Sequence, residues 1–395
     1  MKNIVVLGGS FGGLTAALEL RRLLGRNIEI TVVSGDGLFV FMPSLPWLIM
    51  GHRRPQDITL KVPDILAPKK IGFFHEAAER IDPEACKVFT ATREIPYDYL
   101  IISTGPHLAY DEIPGLGPDR GYTASTFTLD HAVNAGLAWQ KLFEDPGPVV
   151  VGSAQGVSCF GPSYELAYEM DAELRRRKIR NRVPLVYLTS EPYLGHMGVD
   201  GFGNSRRFFE DTLAEREIKT IVSRAIEEVV PGEIRLKDGT KLPYKFAMIA
   251  PPFKGVPAVA PLGNPRGFIP VDKQYRHTKH KNIFTIGVAV AIAPPDPTPV
   301  PTGVPKTGFM TVRMAKTAAA VISSEIKNTP PPSPAEMNVV CIMDMGNTAA
   351  FMKADPLLPP RQKSVTKDGY QYRLLKIAFE KYFLWKMKRG ISGLP

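Results

Sequence analysis

The first 35 residues divide into two apolar runs separated by a glycine-rich turn and an amphipathic stretch. Residues 3–7 and 29–33 are short runs of aliphatic and β-branched side chains, typical of buried strands. Between them lies GGSFGG, followed by apolar side chains at helical spacing over residues 14–24. Strand, glycine-rich turn, helix and strand in this order predict the start of a doubly wound parallel sheet.

A second unit of the same kind is predicted from about residue 146, where a strand at 148–151 precedes the turn GSAQG and a helix through Leu174. Residues 38–50 are expected to form a loop, and residues 328–334 a stiff proline-rich linker. The remaining predicted elements are strands at 99–103, 183–189 and 282–287, a helix at 201–216, a β-rich stretch over 219–252 with a hairpin turn at 237–239, a helix ending near Lys327, a β stretch at 337–343 and a final helix at 371–389.

The first turn has the spacing of a dinucleotide-binding motif. Its G-x-G-x-x-G frame places Gly8, Ser10 and Gly13, which allow a tight turn, close approach of a diphosphate and contact between helix and strand. The helix N-terminus would supply free N–H groups for the anion. We therefore predict a site for the diphosphate of FAD, with Ser34 or Asp36 at the adenosine ribose. A plain glycine turn in an α/β protein is the alternative.

The equivalent frame of the second unit departs from this motif. It places Gly152, Ala154 and Val157, so two of the three glycines are replaced, and Val157 would crowd the contact between helix and strand. A second dinucleotide such as NADH is therefore disfavoured. The turn instead leads to Cys159, within GSAQGVSCFGPSYE.

Composition narrows the function classes further. The net charge is +10 and 44% of the residues are hydrophobic, as in a folded globular chain. No apolar run reaches the roughly 20 residues of a membrane span, and no secretory signal is expected. The three cysteines form no C-x-x-C motif, so neither a metal site nor a c-type haem attachment is expected. No basic arm or binding module favours nucleic acid as a partner.

Eight separated strings make the chain resemble the sulfide:quinone oxidoreductase family of flavoproteins. The strings are FMPSLPW (41–47), DYLIISTGP (98–106), GSAQGVSCFGPSYE (152–165), TSEPYLGHMG (189–198), PPFKGVPAV (251–259), TPVPTGVPKTGFM (298–310), NVVCIMDMG (338–346) and KIAFEKYF (376–383). The resemblance extends over nearly the whole chain.

This resemblance implies an α/β fold with two Rossmann-like dinucleotide-binding domains, as in glutathione reductase, plus a C-terminal amphipathic region associated with the membrane. The length of 395 residues also suggests two to three domains. The expected boundaries are 1–110 for the first part of the FAD-binding domain, 111–265 for the second Rossmann-like domain with Cys159, 266–330 for the second part of the FAD-binding domain, and 331–395 for the quinone and membrane region with Cys341.

The resemblance also implies a reaction. Cys159 and Cys341 would form a redox pair, bridged directly or through sulfur, which sulfide attacks to leave a persulfide while two electrons pass to FAD and then to quinone. Glu165, His196 and His131 would move protons; capping or packed histidines are the alternative. Because Cys159 is predicted in the first turn of a helix, we expect its thiolate to be favoured.

The same comparison implies the contacts of the flavin. Lys306 precedes a helix predicted from Thr307, where an ammonium and a helix N-terminus would stabilise negative charge on the reduced ring. A solvated loop charge is the alternative. The full set of further flavin candidates is Pro43, Ala78, Thr104, Gly105, Gly287 and Lys306.

One departure from the family affects the chemistry. Many members have a third cysteine before a T-x-D-H string, and here Phe127 takes that place. We therefore expect FAD to be bound non-covalently and the sulfur product to be unusual, with a shorter chain. The remaining cysteine, Cys86, lies in a predicted hairpin and is interpreted as structural.

The last predicted helix mixes aromatic and aliphatic side chains with lysines, as in helices that lie in a membrane interface. By resemblance, Phe41, Asn338, Lys376 and Phe379 would line a quinone pocket. We expect a peripheral membrane protein that is a homo-oligomer. A helix packed in the protein core is the alternative.

Three other functions compete with this interpretation. The flavin subunit of a flavocytochrome sulfide dehydrogenase would need export and a haem partner. A type II NADH:quinone oxidoreductase would need an intact second glycine motif. A non-catalytic flavoprotein that senses sulfur species would be reduced by sulfide without sustained reduction of quinone.

Overall fold

The computed structural model describes residues 2–119, 121–334 and 336–393. The helices are α1 Phe11–Leu24, α2 Leu45–Ile49, α3 Val62–Leu66, α4 Leu129–Lys141, α5 Gly161–Arg176, α6 Ser205–Glu215, α7 Gly308–Ile326 and α8 Tyr370–Lys388. The strands are β1 Asn3–Leu7, β2 Glu29–Val33, β3 Leu38–Val40, β4 Thr59–Lys61, β5 Gly72–Phe74, β6 Ala78–Asp82, β7 Lys87–Thr90, β8 Glu94–Pro96, β9 Tyr99–Ile102, β10 Pro106–Leu108, β11 Val149–Ser153, β12 Leu185–Thr189, β13 Lys219–Ile221, β14 Ile226–Val230, β15 Glu233–Leu236, β16 Lys241–Pro243, β17 Phe246–Ala250, β18 Phe253–Gly255, β19 Ile283–Thr285, β20 Val339–Asp344, β21 Ala349–Asp355 and β22 Lys363–Gly369.

A five-stranded parallel sheet organises the first unit, in the order β19-β9-β1-β2-β5. Its central strands are apolar on both faces because helices and loops cover both sides, as parallel sheets require. Helix α1 packs on this sheet and against α7, which comes from the far end of the chain. The first unit is therefore completed by residues on both sides of the second.

A four-stranded parallel sheet forms the second unit, in the order β13-β12-β11-β17. Helix α5 follows β11 and packs on β11, β12 and β17, so its N-terminus lies at the carboxyl ends of these strands. The turns after β1 and β11 thus stand at the edges where doubly wound sheets bind ligands.

The C-terminal region is an antiparallel sheet of β20, β21 and β22 followed by α8. Strand β20 packs on α5 and on α8, which places this sheet between the second unit and the last helix. No helix within the described part of the chain has both the length and the apolar character needed to cross a membrane.

The sequence predicted the two βαβ units but missed several shorter elements. The loop expected at 38–50 is wrong, because β3 pairs with β4 and residues 45–49 form α2. Helix α4 and strands β21 and β22 were not predicted, although β21 and β22 pair antiparallel with each other and β21 with β20. The final helix begins and ends within one residue of its predicted bounds.

A buried carboxylate joins α8 to the segment that follows β3. Glu380 is fully buried, and it accepts hydrogen bonds from the Ser44 hydroxyl and from Arg53 Nε at 2.9 Å. A buried carboxylate is tolerated only when its oxygens are paired in this way. The contact fixes the position of α8 relative to Phe41 and its neighbours.

Replacing Glu380 by Ala should lower the free energy of unfolding by about 3 kcal/mol, because it leaves the half-buried Arg53 guanidinium without its anion and the buried Ser44 hydroxyl without its acceptor. Urea-induced unfolding of the holoprotein followed by circular dichroism measures the change. Lys388→Ala, at an exposed position of the same helix, is the matched control. Equal stability of the two variants would contradict an anchoring role for Glu380.

Candidate active site

The turn after β1 is held tightly against β9 by glycines. Gly8 has φ of +110°, and a Cβ there would lie 2.2 Å from the carbonyl oxygen of Ser103. A Cβ on Gly13 would lie 1.8 Å from the carbonyl oxygen of Gly8, so the helix can approach the turn only without a side chain. Ser10 is the N-cap of α1, yet its side chain caps no N–H group. The first-turn N–H groups are therefore available to an anion.

The end of β2 lies beside this turn. A Cβ on Gly9 would be 3.1 Å from Ser34 Oγ, and Ser34 Oγ accepts a hydrogen bond from the backbone N–H of Asp36 at 3.2 Å. Ser34 is buried whereas Asp36 is exposed. Gly12 was not singled out from the sequence, although a Cβ there would lie 2.3 Å from Ser103 Oγ. The G-x-G-x-x-G frame passes over this position, so motif spacing does not reveal it.

A buried amine stands just before α7. Lys306 is 9% exposed, its ammonium lies 4.8 Å from the Phe268 ring centre, and it pairs with no carboxylate among the described residues. Burial lowers the pKa of Lys306 to about 8. The next residue, Thr307, caps α7 through a hydrogen bond from Met310 N to its Oγ1 at 3.3 Å. An unpaired buried cation beside a helix N-terminus fits an electron-rich, anionic group, so these residues fit a flavin dinucleotide.

The other flavin candidates lie at the ends of nearby elements. Gly105 follows β9 with φ of +73°, and no atom stands within 4 Å of its hypothetical Cβ, so this side is open. Thr104 beside it is half-buried. Gly287 has φ of +69° and contacts α7 at Thr311. The two remaining candidates are exposed Pro43, before α2, and half-buried Ala78, in β6.

Two thiols from distant parts of the chain meet at the N-terminus of α5. Cys159 lies in the loop before α5, Cys341 is in β20, and the two sulfur groups are close enough to interact electrostatically. Both side chains are half-buried, and each is a free thiol. Their separation of 182 residues is bridged by the packing of β20 on α5.

The expectation of a favoured thiolate at Cys159 is wrong for this state of the protein. Helix α5 begins at Gly161, so Cys159 precedes it rather than lying in its first turn. Burial raises the pKa of Cys159 to about 12, the neighbouring Cys341 adds to the rise, and a hydrogen bond from the Gly161 backbone only partly offsets it. Burial and the Glu165 charge likewise raise the pKa of Cys341 to about 12.

Glu165 and Lys376 form a buried ion pair beside the thiols. Each side chain is about 5% exposed, and the Lys376 ammonium donates to Glu165 Oε1. Burial raises the pKa of Glu165 while the attraction of Lys376 opposes the rise. Lys376 also lies 4.5 Å from the Trp47 ring centre. The structure thus joins a residue predicted for the sulfide side to one predicted for the quinone side.

Asp344 supports this pair and was missed by sequence reasoning. It is 1% exposed and accepts hydrogen bonds from Trp47 Nε1 and from Arg373 Nε, both at 2.9 Å. These contacts connect β20, α2 and α8 around Glu165. In the sequence, the position of Asp344 three residues after Cys341 is its one distinguishing feature, and a single Asp in a predicted strand is weak evidence for a functional role.

The two histidines lie in different surroundings. His196 is 5% exposed, its Nδ1 accepts from Gly198 N at 3.2 Å, and burial lowers its pKa, so the ring is neutral near pH 7. His131 lies in the first turn of α4, where its Nε2 is 3.5 Å from Asp119. None of the described contacts of either ring involves Cys159 or Cys341.

Phe127 and Cys86 have packing contacts. Phe127 packs edge-to-face on Phe253, with ring centres 5.3 Å apart. Cys86 lies in the turn between β6 and β7 and accepts a hydrogen bond from Asn282 Nδ2 at 3.3 Å. These contacts agree with the structural interpretation of Cys86.

Two of the quinone candidates, Phe41 and Phe379, belong to a cluster of five phenylalanines. Phe41 lies 6.0 Å from Phe379 and 5.6 Å from Phe383, measured between ring centres. The contacts of Asn338 do not involve this cluster. Its Nδ2 donates a hydrogen bond to Asp355 at 3.5 Å, and its Oδ1 is buried without a partner among the described residues. The cluster consists of Phe11, Phe39, Phe41, Phe379 and Phe383.

The glycine-poor turn of the second unit is covered by another part of the chain. The N–H of Gly156 donates to the Pro301 carbonyl and the N–H of Gly303 donates to the Val157 carbonyl, each at 2.7 Å. Val157 is fully buried. Backbone groups that would face a second dinucleotide are therefore bonded to residues 301–303, here called the strap.

The comparisons with known proteins first define a class. Residues 2–319 match the family model described as pyridine nucleotide-disulphide oxidoreductase. The chain therefore belongs to this class of α/β enzymes, in agreement with its two parallel sheets.

Relatives then narrow the family. The chain is 42% identical to the sulfide-quinone reductase of Aquifex aeolicus, over 98% of this chain and 92% of that one. The crystal structure of sulfide:quinone oxidoreductase from the same organism superposes with a TM-score of 0.94 at 41% identity, covering 99% and 92% of the two chains. The mouse mitochondrial sulfide:quinone oxidoreductase is 25% identical over 72% of this chain and 65% of its own. The chain is a member of the sulfide:quinone oxidoreductase family, and the predicted family and fold class are confirmed.

Membership of this family also implies a flavin cofactor, which the turn after β1 and Lys306 accommodate. Within the described ranges, no group of three or more His, Cys, Asp or Glu side chains is placed to hold a metal ion.

The raised pKa values predict slow alkylation of both thiols in the chemically reduced holoprotein. A pKa of about 12 leaves little thiolate near neutral pH, and its fraction should rise about tenfold per pH unit up to about pH 10. Iodoacetamide labelling followed by peptide mass spectrometry measures the rate at Cys159 and Cys341. Glutathione is the control, and its rate should level off above about pH 9. A plateau at the same pH for the two protein thiols would contradict the buried environment.

Proposed function

We propose that this protein oxidises sulfide with a Cys159–Cys341 redox pair and transfers the electrons through FAD to a membrane quinone. The observation that carries the proposal is the meeting of these two thiols beside the Glu165–Lys376 pair in a member of this family. The product would be zero-valent sulfur or a short polysulfide. Sulfide is anionic near neutral pH, and the net charge of +10 favours its approach.

The sulfur step is a thiol–disulfide exchange. Hydrosulfide attacks one sulfur of the oxidised bridge; a new S–S bond forms, the bridge bond breaks, and the other cysteine leaves as a thiolate. One cysteine then carries a persulfide. Bound flavin supplies the two-electron acceptor that oxidises the cysteine pair and is reoxidised by quinone. A second hydrosulfide then attacks the outer sulfur of the persulfide and carries it away as a hydrodisulfide, which leaves both cysteines reduced and ready for reoxidation to the bridge.

The charged pair beside the thiols would handle the protons. A thiolate in this buried site is unfavourable, as the raised pKa values of both cysteines indicate. The Lys376 ammonium offsets negative charge at Cys341, and Glu165 can accept a proton from the attacking sulfide. His196, neutral and buried, is a second candidate acceptor whose place in the cycle rests on the family resemblance.

The FAD would be held without a covalent bond through position 127. Phe127 offers no sulfur, and its ring is engaged with Phe253. Gly8, Ser10 and Gly13 would receive the diphosphate, with Ser34 at the ribose, because Ser34 is buried beside the turn whereas Asp36 is exposed. The amine of Lys306 would face the flavin ring.

NADH is disfavoured as the electron donor. The strap at 301–303 bonds to the backbone of the second turn, and Val157 fills the space that a glycine would leave open. The chain is also 24% identical, over 97% of its length, to a type II NADH:quinone oxidoreductase from Mycobacterium tuberculosis, but the covered second turn argues against the same electron donor here.

The phenylalanine cluster and α8 would receive quinone from the membrane surface. Phe41 and Phe379 offer flat apolar rings against which a quinone ring could pack. Lys376 precedes Phe379 by three residues on α8, and its ammonium, bonded to Glu165 of α5, would donate a proton to the quinone. The outer face of α8 and the residues after it expose large apolar side chains, namely Tyr370, Leu374, Leu375, Tyr382, Trp385 and Ile391. Such a face fits the interface of a bilayer, where the protein would be a peripheral homo-oligomer.

Anaerobic absorbance spectra of the purified holoprotein test this function. Sulfide should bleach the flavin band, and a short-chain quinone should restore it. Both effects should be lost in Cys159→Ser and in Cys341→Ser, because neither variant can form the bridge. Cys86→Ser is the matched control and should behave as the wild type.

Other results would favour other functions. Bleaching by NADH but not by sulfide would overturn the proposal in favour of an NADH dehydrogenase. Bleaching by sulfide without recovery in quinone would indicate a sensor or a different electron acceptor.

Replacing Leu374 and Trp385 together by Glu should weaken binding to phospholipid vesicles by about tenfold or more, because each large apolar side chain contributes roughly 1.5–3 kcal/mol when buried. Vesicle co-sedimentation measures the change. Leu137→Glu, at a 61% exposed position of α4, is the control. Equal loss of binding in both variants would show that α8 is not the membrane-facing element.

A further inference from the structure

One face of α5 carries three nearly buried glutamates at four-residue spacing. Glu165, Glu169 and Glu173 are 4%, 3% and 7% exposed. Side chains four residues apart on a helix are neighbours, with Cβ atoms roughly 5–6 Å apart. The three carboxyl groups therefore form a row, here called the glutamate row, along α5 from the thiol site towards the C-terminus of the helix.

The middle member of the row has no partner. Both carboxyl oxygens of Glu169 are buried, and neither meets a hydrogen-bonding group in the described part of the chain. Burial, together with the charges of Glu165 and Asp344, holds the pKa of Glu169 well above its usual range. A buried carboxyl group without a hydrogen-bonding partner or an adjacent cation favours its neutral, protonated form.

The two ends of the row differ from its middle. At the inner end, Glu165 is paired with Lys376 and its charge acts on Cys341. At the outer end, Glu173 is paired with Arg176 and Arg177, whose side chains are 70% and 40% exposed. The row thus connects the ion pair at the active site with ion pairs in contact with water.

The surroundings of Glu169 include charges from three further elements. Asp344 from β20 and Arg373 and Lys376 from α8 act on it from one side. The charges of Asp344 and Glu173 both act on the exposed His52, which follows α2. Glu165, Glu173, Asp344, Arg373 and Lys376 are each engaged in an ion pair. Unlike these five residues, Glu169 can release or take up a proton without breaking an ion pair.

The proposed reaction needs such a route. Hydrosulfide loses one proton and two electrons as it becomes zero-valent sulfur, whereas the quinone takes up two electrons and two protons. One proton per turnover must therefore enter from water, even if the proton of hydrosulfide is used within the protein. The Glu165–Lys376 pair is buried, so this proton needs polar side chains to carry it.

We propose that Glu169 relays protons along the glutamate row between the Glu165–Lys376 pair and water at Glu173. The proton moves from Glu169 to the Glu165–Lys376 pair as the pair gives one up, and Glu169 is reprotonated from the outer end beside Glu173 and His52. The inference rests on the proposed function. It assigns Glu169 as a positioning and relay residue that does not touch sulfide, quinone or flavin.

Glu169→Gln keeps the size of the side chain and removes its exchangeable carboxyl proton. In stopped-flow mixing of holoenzyme with sulfide and decylubiquinone, the variant should turn over at least about tenfold more slowly, since positioned proton carriers contribute on the order of 100-fold or more. The KM for sulfide should not change. Proton uptake, followed with a pH-indicator dye in weak buffer, should slow by the same factor, and the solvent deuterium isotope effect should increase.

Glu169→Asp should restore part of the rate. Tyr168→Phe is the matched control, because this neighbouring buried hydroxyl on α5 bonds to Thr212 and lies outside the row. It should leave turnover and proton uptake unchanged. Wild-type turnover, dye kinetics and isotope effect in Glu169→Gln would overturn the proposal.

Difference infrared spectroscopy gives a test that does not depend on turnover. The oxidised wild-type protein should show a buried carboxylic acid C=O band that shifts on reduction by dithionite and is absent from Glu169→Gln. If Glu169→Gln does not fold, the wild-type spectrum and Glu173→Gln, which should slow proton uptake several-fold, decide the question. A wild type without this band would overturn the relay. A wild type that sulfide fails to reduce would overturn the proposed function and leave the infrared result to stand.

Discussion

The burial of the Glu165–Lys376 ion pair is the constraint on which the arrangement of this protein depends. Its two members are 211 residues apart in the chain, one on α5 and the other on α8. A buried charge without its partner is strongly destabilising, so these helices must approach each other before either side chain is acceptable in the interior. Because β20 packs between these helices, the same approach brings Cys341 to Cys159.

Low exposure also determines the chemistry of the groups around this pair. The same burial that raises the pKa of both thiols raises the pKa of Glu165 and Glu169. Acids in this interior are therefore held in their protonated forms unless a cation is next to them. Lys376 is that cation for Glu165, and Lys306 is a second buried cation that has no anionic partner among the described residues. The site is thus electrostatically prepared for negative charge at two places.

Local sequence patterns predicted the parts of the structure that local physics determines. The βαβ units follow from apolar periodicity, and Gly8 and Gly13 follow from the close approach of helix and strand. Asp344, Glu169 and Glu380 were not predicted, because each owes its position to partners supplied by distant segments. The thiolate at Cys159 was predicted wrongly for a related reason. The start of α5 was placed too early, and burial by β20 outweighed the effect of the helix N-terminus.

The strap at 301–303 couples the second turn to the segment that precedes α7. It lies between the second unit and α7, so the chain that closes the empty nucleotide turn also leads directly to Lys306. A single short segment therefore both covers the second turn and leads to the buried amine of Lys306. Restoring glycines at positions 154 and 157 would reopen the turn only from within, while the strap would still cover it from outside. Opening the second turn would therefore also reshape the connection that leads to Lys306, so single substitutions cannot change the two features independently.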